Sequence, residues 1–262
     1  MERLYISVFR IRSLAKLNRA VLRAALRAHG YNNYASAKES GEEYLITDVL
    51  RRINPEVVFD VGANVGKYSE AILRSTNAEV HAFEPIPINL ERLREIQNKS
   101  NGRLIVNQVG VGDVPGMLEL AYNPDATAHA SFLNNVNEIP YINNEAMIEV
   151  EVTTLDIYAK KHSLTAIDFI KIDTEGFEAE VLTGMSNILS SAPPKMVQIE
   201  FNTHQMLRGH SIYTLSQLLP DFKLFQMLPG RLDERNPIDP LSNVYQYSNF
   251  VFVRPDICDH VV

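Results

Sequence analysis

The sequence predicts an α/β fold with a mostly parallel sheet that ends in an antiparallel hairpin. Three observations lead to this prediction. Short apolar runs alternate with amphipathic helical patterns from residue 56 to residue 219, which is the spacing of βαβ units. The first apolar run ends in a glycine-containing loop that enters a helix. The last two runs, at 222–228 and 245–253, have no helical pattern between them, so we expect them to pair as a hairpin.

The individual elements follow from apolar periodicity and turn signals. Helices over 11–27 and 42–52 precede the sheet. The five parallel strands and the two hairpin strands are expected at 57–59, 79–83, 104–109, 166–172, 195–201, 222–228 and 245–253. The later helices are expected at 67–74, 87–99, 155–161, 177–185 and 212–219. The expected organisation is a helical lead-in at 1–53, one domain at 54–255 and a tail at 256–262.

Residues 111–153 break this alternation. Strands at 117–122 and 148–153 should pair with each other. The polar stretch between them is long for a loop in a compact domain, and such loops are usually functional or mobile. Together with 202–211 and 229–244, the loop at 122–148 is expected to build the binding site for a substrate.

The composition excludes several classes of protein. The chain has 262 residues, of which 45% are hydrophobic and 22% charged, as in ordinary globular proteins. A net charge of −7 argues against binding nucleic acid through phosphate contacts. The single cysteine, Cys258, excludes an internal disulfide and indicates a reducing, cytoplasmic location. No segment has the roughly 18 uncharged apolar residues that a membrane span requires.

The charge is unevenly distributed. Residues 1–30 carry +6, which leaves −13 for the remaining chain. Five basic residues recur at helical spacing, and apolar residues fill the opposite face; the basic residues are Arg12, Lys16, Arg19, Arg23 and Arg27. Such a helix either lies on an anionic membrane or a partner, or docks by its apolar face on this domain or on a second subunit. We expect the docked arrangement; residues 1–28 are the candidate surface for a peripheral membrane contact or a homodimer.

The loop after the first strand identifies the kind of pocket. A dinucleotide fingerprint requires glycine at 64 and 67, where this chain has Asn64 and Lys67. The pattern is instead D-x-G-x-N-x-G, with an acid at the strand tip that would repel a pyrophosphate and would suit a cationic ligand. It resembles motif I of the class I S-adenosylmethionine-dependent methyltransferases; a plain tight turn that enters a helix is the alternative.

A second motif narrows the resemblance. Residues 168–178 have the sequence DFIKIDTEGFE, followed by Val181, Leu182 and Gly184. With FDVGANVGKYS at 59–69, FEP at 83–85 and TLD at 154–156, this pattern is similar to the FkbM family of methyltransferases. That family consists mostly of O-methyltransferases that act on sugars, polyketides and related small molecules. The resemblance implies a Rossmann-like class I methyltransferase fold with a seven-stranded sheet and S-adenosyl-L-methionine as cofactor.

The resemblance also assigns roles to the residues that match. The glycine loop would hold the methionine side of the cofactor, and Glu84 would accept hydrogen bonds from both ribose hydroxyls. Asp113 would meet the adenine amino group, or alternatively would cap the turn that follows it. The expected cofactor-binding residues are Asp60, Gly62, Ala63, Asn64, Gly66, Tyr68, Glu84, Pro85, Gly112, Asp113, Lys171 and Asp173.

The expected catalytic residues follow the fourth and fifth strands and are Asp173, Glu200 and His204. His204 is a candidate general base, with an exposed loop histidine as the alternative. Asp173, Glu200 and Asn202 resemble the oxygen ligands of Mg²⁺-dependent O-methyltransferases, although we expect a metal-free site. The predicted acceptor is a small molecule or glycan. The competing hypothesis is a catalytically silent protein of this fold that its basic N-terminal helix recruits to a partner or membrane.

Overall fold

The computed structural model describes residues 2–261, which form a large central sheet, a small second sheet and surrounding helices. The strands are β1 Val57–Val61, β2 Glu79–Phe83, β3 Leu104–Asn107, β4 Gly110–Val111, β5 Gly116–Tyr122, β6 Ala146–Thr153, β7 Phe169–Ile172, β8 Met196–Phe201, β9 Lys223–Leu228, β10 Arg231–Arg235 and β11 Ser248–Val253. The helices are α1 Glu2–Phe9, α2 Ala15–Ala28, α3 Ala37–Ser40, α4 Glu42–Tyr44, α5 Arg51–Ile53, α6 Lys67–Ser75, α7 Pro87–Lys99, α8 Leu155–Lys161, α9 Glu178–Thr183, α10 Ser186–Ser191, α11 Thr203–Arg208, α12 Ile212–Ser216 and α13 Cys258–Val261. A π-helical turn, Leu45–Leu50, joins α4 to α5, so these three pieces form the helix that the sequence predicts at 42–52.

The central sheet has the strand order β3-β2-β1-β7-β8-β11-β9-β10. Strands β1, β2, β3, β7 and β8 are parallel, and β11 is antiparallel to both of its neighbours. The predicted hairpin is therefore confirmed. The strand order reverses beside β1, and ligands of open α/β sheets bind in the crevice outside the carboxyl ends of the strands at such a point. The structure adds β10, which pairs with β9 across the two-residue turn Pro229-Gly230.

The sheet is buried between two layers of helices. Every residue of β7 and of β11 is buried, which fits their mainly apolar sequences; the exceptions are Lys171, Ser248 and Asn249. One core contains residues of α8, α9, α10 and α12. The other contains residues of the 42–53 helix, α6, α7 and α13. The domain boundaries predicted at 53/54 and 255/256 stay predictions, but helices on either side of them share this second core.

The small sheet has the order β4-β6-β5, and β5 pairs with β6 in the antiparallel manner that the sequence predicts. The polar stretch between them is ordered by a core of its own, which contains Leu133, Val136, Ile139 and Ile142. A bridge between Ala121 and Ser131 ties its first part to β5. This stretch is therefore a packed structural unit beside the sheet edge.

Helix α11 lies inside the segment that the sequence predicts as the loop 202–211. Its start carries a capping box: the Asn202 side chain accepts from the backbone of the first turn, and the Gln205 side chain accepts from the Asn202 N–H. The spacing Asn-x-x-Gln is a sequence signal for a helix start. The prediction of a loop was wrong because the six-residue helix is too short to show an apolar period.

Helix α2 does not dock on this chain by its apolar face, so the prediction that it docks on its own domain was wrong; docking on a second subunit stays a prediction. No residue of α2 is buried, and Leu17, Val21 and Leu22 are 46%, 47% and 58% exposed. Leu26 packs against the core, and a different face, which includes Arg23 and Arg27, borders the cavity described below. Within residues 2–261, no helix combines the length and apolarity needed to cross a bilayer.

Replacing Gly184 by alanine should destabilise the fold. A Cβ atom at this position would lie 2.0 Å from the Gly112 carbonyl oxygen, so the backbone must move, at a cost of about 1–3 kcal/mol. The control is Gly116→Ala, where a Cβ atom meets nothing within 4 Å and the change should stay within about 0.5 kcal/mol. Urea denaturation measures both; equal unfolding midpoints for the two variants would contradict the packing described here.

Candidate active site

A cavity of about 1370 Å³ opens at the carboxyl edge of the parallel strands. Pockets for single small ligands usually occupy roughly 300–1,000 Å³, so this one has room for two molecules side by side. Its walls come from the ends of β1, β2, β7 and β8, from the 123–145 stretch, from α2, and from residues 32–34 and 245–247. The sequence-predicted residues that line it are Gly62, Asn64, Glu84, Pro85, Asp173, Glu200 and Asn202.

Gly62 allows the loop after β1 to pass directly over the end of β7. Its φ is +79°, and a Cβ atom would lie 1.8 Å from the Asp173 carbonyl oxygen, so no other residue fits here. The N–H groups of Gly62 and Ala63 donate to the Phe83 carbonyl at 3.1 and 3.0 Å. The glycine loop is thus fixed to the ends of two strands before any ligand binds.

Glu84, directly after β2, holds a carboxylate rigidly in the cavity wall. Its Oε2 accepts from the Asn64 N–H at 2.8 Å, and its Oε1 accepts from the Ile86 N–H at 2.9 Å and from Asn89 Nδ2 at 3.1 Å. Burial raises the pKa of Glu84, and these hydrogen bonds oppose the shift. A preorganised acid at this strand tip is suited to accept hydrogen bonds from a ribose.

Asp60 does not line the cavity, so the expectation that its carboxylate faces a ligand is not met. It is fully buried, its Oδ2 accepts from Ser69 Oγ at 2.6 Å, and its Oδ1 lies 3.7 Å from Lys171 Nζ. Asp60 and Lys171 are direct partners across the β1–β7 pair. Since side chains alternate along a strand, Val61 borders the cavity and Asp60 faces the interior.

Lys171 connects this buried acid to the cavity. Its Nζ donates to Asp173 Oδ2 at 2.9 Å. Burial alone would lower the pKa of Lys171, but the charges of Asp173, Asp60 and Glu42 outweigh it and raise that pKa. The ammonium group is therefore a permanent positive charge beneath Asp173.

The other expected cofactor residues lie behind or outside the cavity wall. Tyr68 is under the floor, where its hydroxyl donates to Gln198 Oε1 and Lys171 Nζ lies 5.1 Å from its ring centroid. Gly112 packs against the Phe177 ring. Asp113 is exposed, and the cavity wall near it consists of residues 109–111. Ala63 and Gly66 also belong to this group without cavity contact.

Three carboxylates meet where β7 and β8 end. Asp173, Glu175 and Glu200 place oxygen atoms within 4.8 Å of one another. Burial, together with the charges of Asp173 and Glu175, raises the pKa of Glu200 well above its ordinary value. Three oxygen donors match the preference of a hard cation, but Asp173 already accepts from the Lys171 ammonium.

Asn202 is not arranged as a metal ligand, the role that its resemblance to the ligands of Mg²⁺-dependent O-methyltransferases implies. Its Nδ2 donates to Glu200 Oε1 at 2.7 Å and to Glu175 Oε2 at 3.3 Å. Its Oδ1 accepts from the His204 N–H at 2.8 Å. The amide oxygen is therefore engaged, and Asn202 organises the two glutamates.

The two histidines near Glu175 differ in access to the cavity. His204 is fully buried and outside the cavity lining, and burial lowers its pKa. His129 lines the cavity with 44% of its side chain exposed, and its Nδ1 lies 3.3 Å from Glu175 Oε1. The hydrogen bond to Glu175 raises the pKa of His129. The sequence contains no motif that marks His129, which lies in the polar stretch expected to help build the substrate site.

Glu178 explains the spacing of the second motif. The turn that carries Glu175 has positive φ at two successive residues, +51° at Glu175 and +105° at Gly176. The buried Glu178 carboxylate accepts from the Thr174 N–H at 3.0 Å and the Gly176 N–H at 3.1 Å. Burial raises the pKa of Glu178 to about 7. The acid three residues after Glu175 therefore fixes the turn that presents Glu175 to the cavity.

The strand order, the glycine loop after β1 and the acids after β2 and β7 define a Rossmann-like fold of the class I methyltransferase type. Residues 60–223, more than half of the chain, match the family model described as the Methyltransferase FkbM domain. The chain belongs to this family of methyltransferases.

Three relatives share parts of the sequence. Hexuronic acid methyltransferase AglP of Haloferax volcanii is 29% identical, over 61% of this chain and 62% of its own, so the match spans less than two thirds of that relative. 31-O-demethyl-FK506 methyltransferase FkbM of Streptomyces tacrolimicus is 29% identical, over 64% of this chain and 76% of its own. 2-O-methyltransferase NoeI of Sinorhizobium fredii is 26% identical, over 70% of this chain and 79% of its own. Among solved structures, an O-methyltransferase from Bacillus cereus superposes with a TM-score of 0.46 at 10% identity, over 96% of both chains.

Proposed function

We propose that the protein transfers a methyl group from S-adenosyl-L-methionine to a hydroxyl group of a sugar, glycan or polyketide-type small molecule. The observation that carries the proposal is the cavity itself, whose lining combines the Gly62 loop and Glu84 with the His129–Glu175 pair. The names of the relatives, which concern a hexuronic acid, 31-O-demethyl-FK506 and a 2-O position, support this acceptor class.

The residues present fit the cofactor. When bound, S-adenosyl-L-methionine supplies a methyl group on a positively charged sulfur. Glu84 would accept hydrogen bonds from its ribose, and the loop containing Gly62 and Asn64 would hold its methionine side. Asp173 and Glu200 place acidic groups in the same cavity. Little covalent chemistry is left to the protein, so positioning of the two reactants is its main contribution.

An alcohol is a weak nucleophile at neutral pH, so its proton must be removed as it attacks. We assign this role to His129, because it faces the cavity and Glu175 supports its positive charge once the proton has been taken up. His204 contacts Glu175 from the buried side, with Nδ1 3.1 Å from Oε2, and is assigned a positioning role together with Asn202. The proposed site is metal-free, since the Lys171 ammonium already neutralises Asp173.

Glu84→Ala should weaken binding of S-adenosylhomocysteine by about 1–3 kcal/mol, because it leaves polar partners without a hydrogen bond. Isothermal titration calorimetry measures the affinity, which we expect to be micromolar in the wild type, with no binding of NAD. Glu91→Ala, at an exposed position of α7, is the matched control and should bind normally. Full-strength binding by Glu84→Ala would refute the location of the cofactor.

Activity should fall at low pH as His129 becomes protonated. The pKa of His129 is raised. The midpoint of the acidic limb in the pH profile of kcat/KM should therefore lie above the ordinary histidine pKa of about 6.5. The groups that face His129 are Glu175, Asp173, His204 and Tyr141. Glu175→Gln should move the limb to lower pH, because it removes the negative charge that stabilises the imidazolium.

His129→Ala should lower kcat/KM by about 10²–10⁴-fold and should flatten the acidic limb of its pH profile. The control is His162→Ala, at an exposed histidine outside the cavity, which should change neither kcat/KM nor its pH profile. Turnover should survive EDTA. Loss of activity in EDTA that Mg²⁺ restores, or an unaltered pH profile in His129→Ala, would contradict the assignment.

We further infer a peripheral contact between α1–α2 and an anionic membrane surface on the cytoplasmic side. Tyr5, Ile6 and Val8 of α1 are 42%, 44% and 51% exposed, and Val21 and Leu22 of α2 are 47% and 58% exposed. Basic residues border them, a combination that suits the interface of an anionic bilayer.

Val21→Glu/Leu22→Glu should abolish co-sedimentation with vesicles of phosphatidylglycerol and phosphatidylcholine at low salt. Ile88→Glu introduces the same charge at a residue of α7 that is 59% exposed, and should bind like the wild type. If the wild type does not bind these vesicles, the membrane contact is refuted. A dimer in light scattering that the double substitution dissociates would assign this surface to a second copy of the chain.

A further inference from the structure

One face of α2 forms a wall of the cavity. Ala20, Arg23, Ala24 and Arg27 all line it, and their spacing of three, four and seven residues puts them on the same side of a helix. The two alanines leave space in front of the helix. The two arginines therefore border a wide part of the cavity and are free to extend into it.

Both guanidinium groups lack an acidic partner in the part of the chain whose side chains are described. Arg23 and Arg27 are exposed, and neither forms an ion pair with an acid among residues 2–261 whose side chains are described. The acids that line the cavity, Glu84, Asp173, Glu175 and Glu200, belong instead to the ends of the parallel strands and the turns that follow them. Lys171 lies beside Asp173, and His129 lies beside Glu175. The part of the lining that α2 contributes is thus cationic, and the part at the strand ends is mainly acidic.

Other parts of the cavity lining are polar and aromatic. They include Asn32 and Gln246, which hydrogen-bond to each other, and the rings of Tyr34 and Tyr247, which meet edge to face at 6.0 Å. Such a lining offers hydrogen bonds and flat apolar faces to a hydroxylated ring. With 1370 Å³ available, a second ligand of sugar size can extend from His129 towards α2 beside the cofactor.

We propose that Arg23 and Arg27 bind an anionic group of the methyl acceptor, and that the acceptor is an acidic saccharide. This inference rests on the proposed function and adds a substrate class to it. Guanidinium groups one helical turn apart can grip a carboxylate, sulfate or phosphate through paired, charge-assisted hydrogen bonds. The anion is held at the cationic wall, while a hydroxyl group elsewhere on the sugar lies near His129.

The test measures binding to the protein saturated with S-adenosylhomocysteine, so that it does not depend on turnover. Calorimetry compares methyl hexopyranoside with three anionic counterparts, the methyl hexuronide, the 6-sulfate and the 6-phosphate. At least one anionic sugar should bind ten times more tightly than the neutral sugar, and the tightest one identifies the anion. If none binds better than the neutral sugar, the proposal is overturned.

Arg23→Gln and Arg27→Gln should each weaken binding of that anionic sugar by about 10- to 100-fold, the range for a lost hydrogen bond to a charged group. Binding of the neutral sugar should not change. The matched control is Arg19→Gln, an exposed arginine of the same helix that does not line the cavity. Unchanged affinity in both cavity variants, or an equal loss in Arg19→Gln, would overturn the proposal.

The same variants separate the acceptor from the cofactor. If the arginines instead hold the carboxylate of the cofactor, their substitution will weaken S-adenosylhomocysteine itself, and the proposal fails. If anionic sugars bind through the arginines but no sugar is methylated, the proposed methyl transfer fails while the anion site stands. Methylation of neutral sugars alone, with no effect of either arginine, leaves the proposed function intact and rejects the acidic acceptor.

Discussion

The buried ammonium of Lys171 is the interaction on which the site depends. It joins Asp60 in the first strand to Asp173 at the end of the neighbouring strand, and its charge also acts on Glu42 from the helix that precedes the sheet. Removing one member of such a buried group leaves uncompensated charge, which typically costs about 3–5 kcal/mol. The glycine loop lies over the Asp173 carbonyl, so Lys171 supports from below the strand end on which both the loop and Asp173 rest.

Much of the fold could be predicted from the sequence because the central strands are buried on both faces. Phe169–Ile172 shows the consequence: four residues are buried in succession, and three of them are apolar, with Lys171 as the exception. β10 escaped prediction because its residues, Arg231 to Arg235, are mostly charged and partly exposed at the sheet edge. Its signal was the preceding Pro-Gly turn. Short elements with little apolar content are fixed by their neighbours more than by their own sequence.

The residues of the candidate site also fall into those that could be predicted from the sequence and those that could not. Gly62, Asn64, Glu84 and Asp173 could be placed at the cavity because each follows a parallel strand, and strand ends of one polarity meet at one edge. The sequence predicted that β1 ends at residue 59 and that Asp60 lies at its tip, but the strand continues to Val61. Asp60 is therefore a strand residue, and its side chain points away from the cavity because side chains alternate along a strand. His129, Arg23 and Arg27 reach the cavity through the packing of the 123–145 stretch and of α2. Contacts distant in sequence decide that packing, and no local pattern records them.

The weak attachment of α2 has a thermodynamic consequence for ligand binding. The helix itself has no buried residue and contacts the core only through Leu26, whereas the residues that follow it are firmly held: Tyr31 is buried in the core, and the Asn32 N–H donates to the Tyr247 carbonyl at 2.8 Å. Segments with so few buried contacts open at a small fraction of the global unfolding free energy. A ligand that bridges α2 and the sheet edge therefore adds its binding energy directly to the local stability of the helix. The rate of amide hydrogen exchange along α2 should therefore fall as a larger fraction of the cavities is occupied by such a ligand.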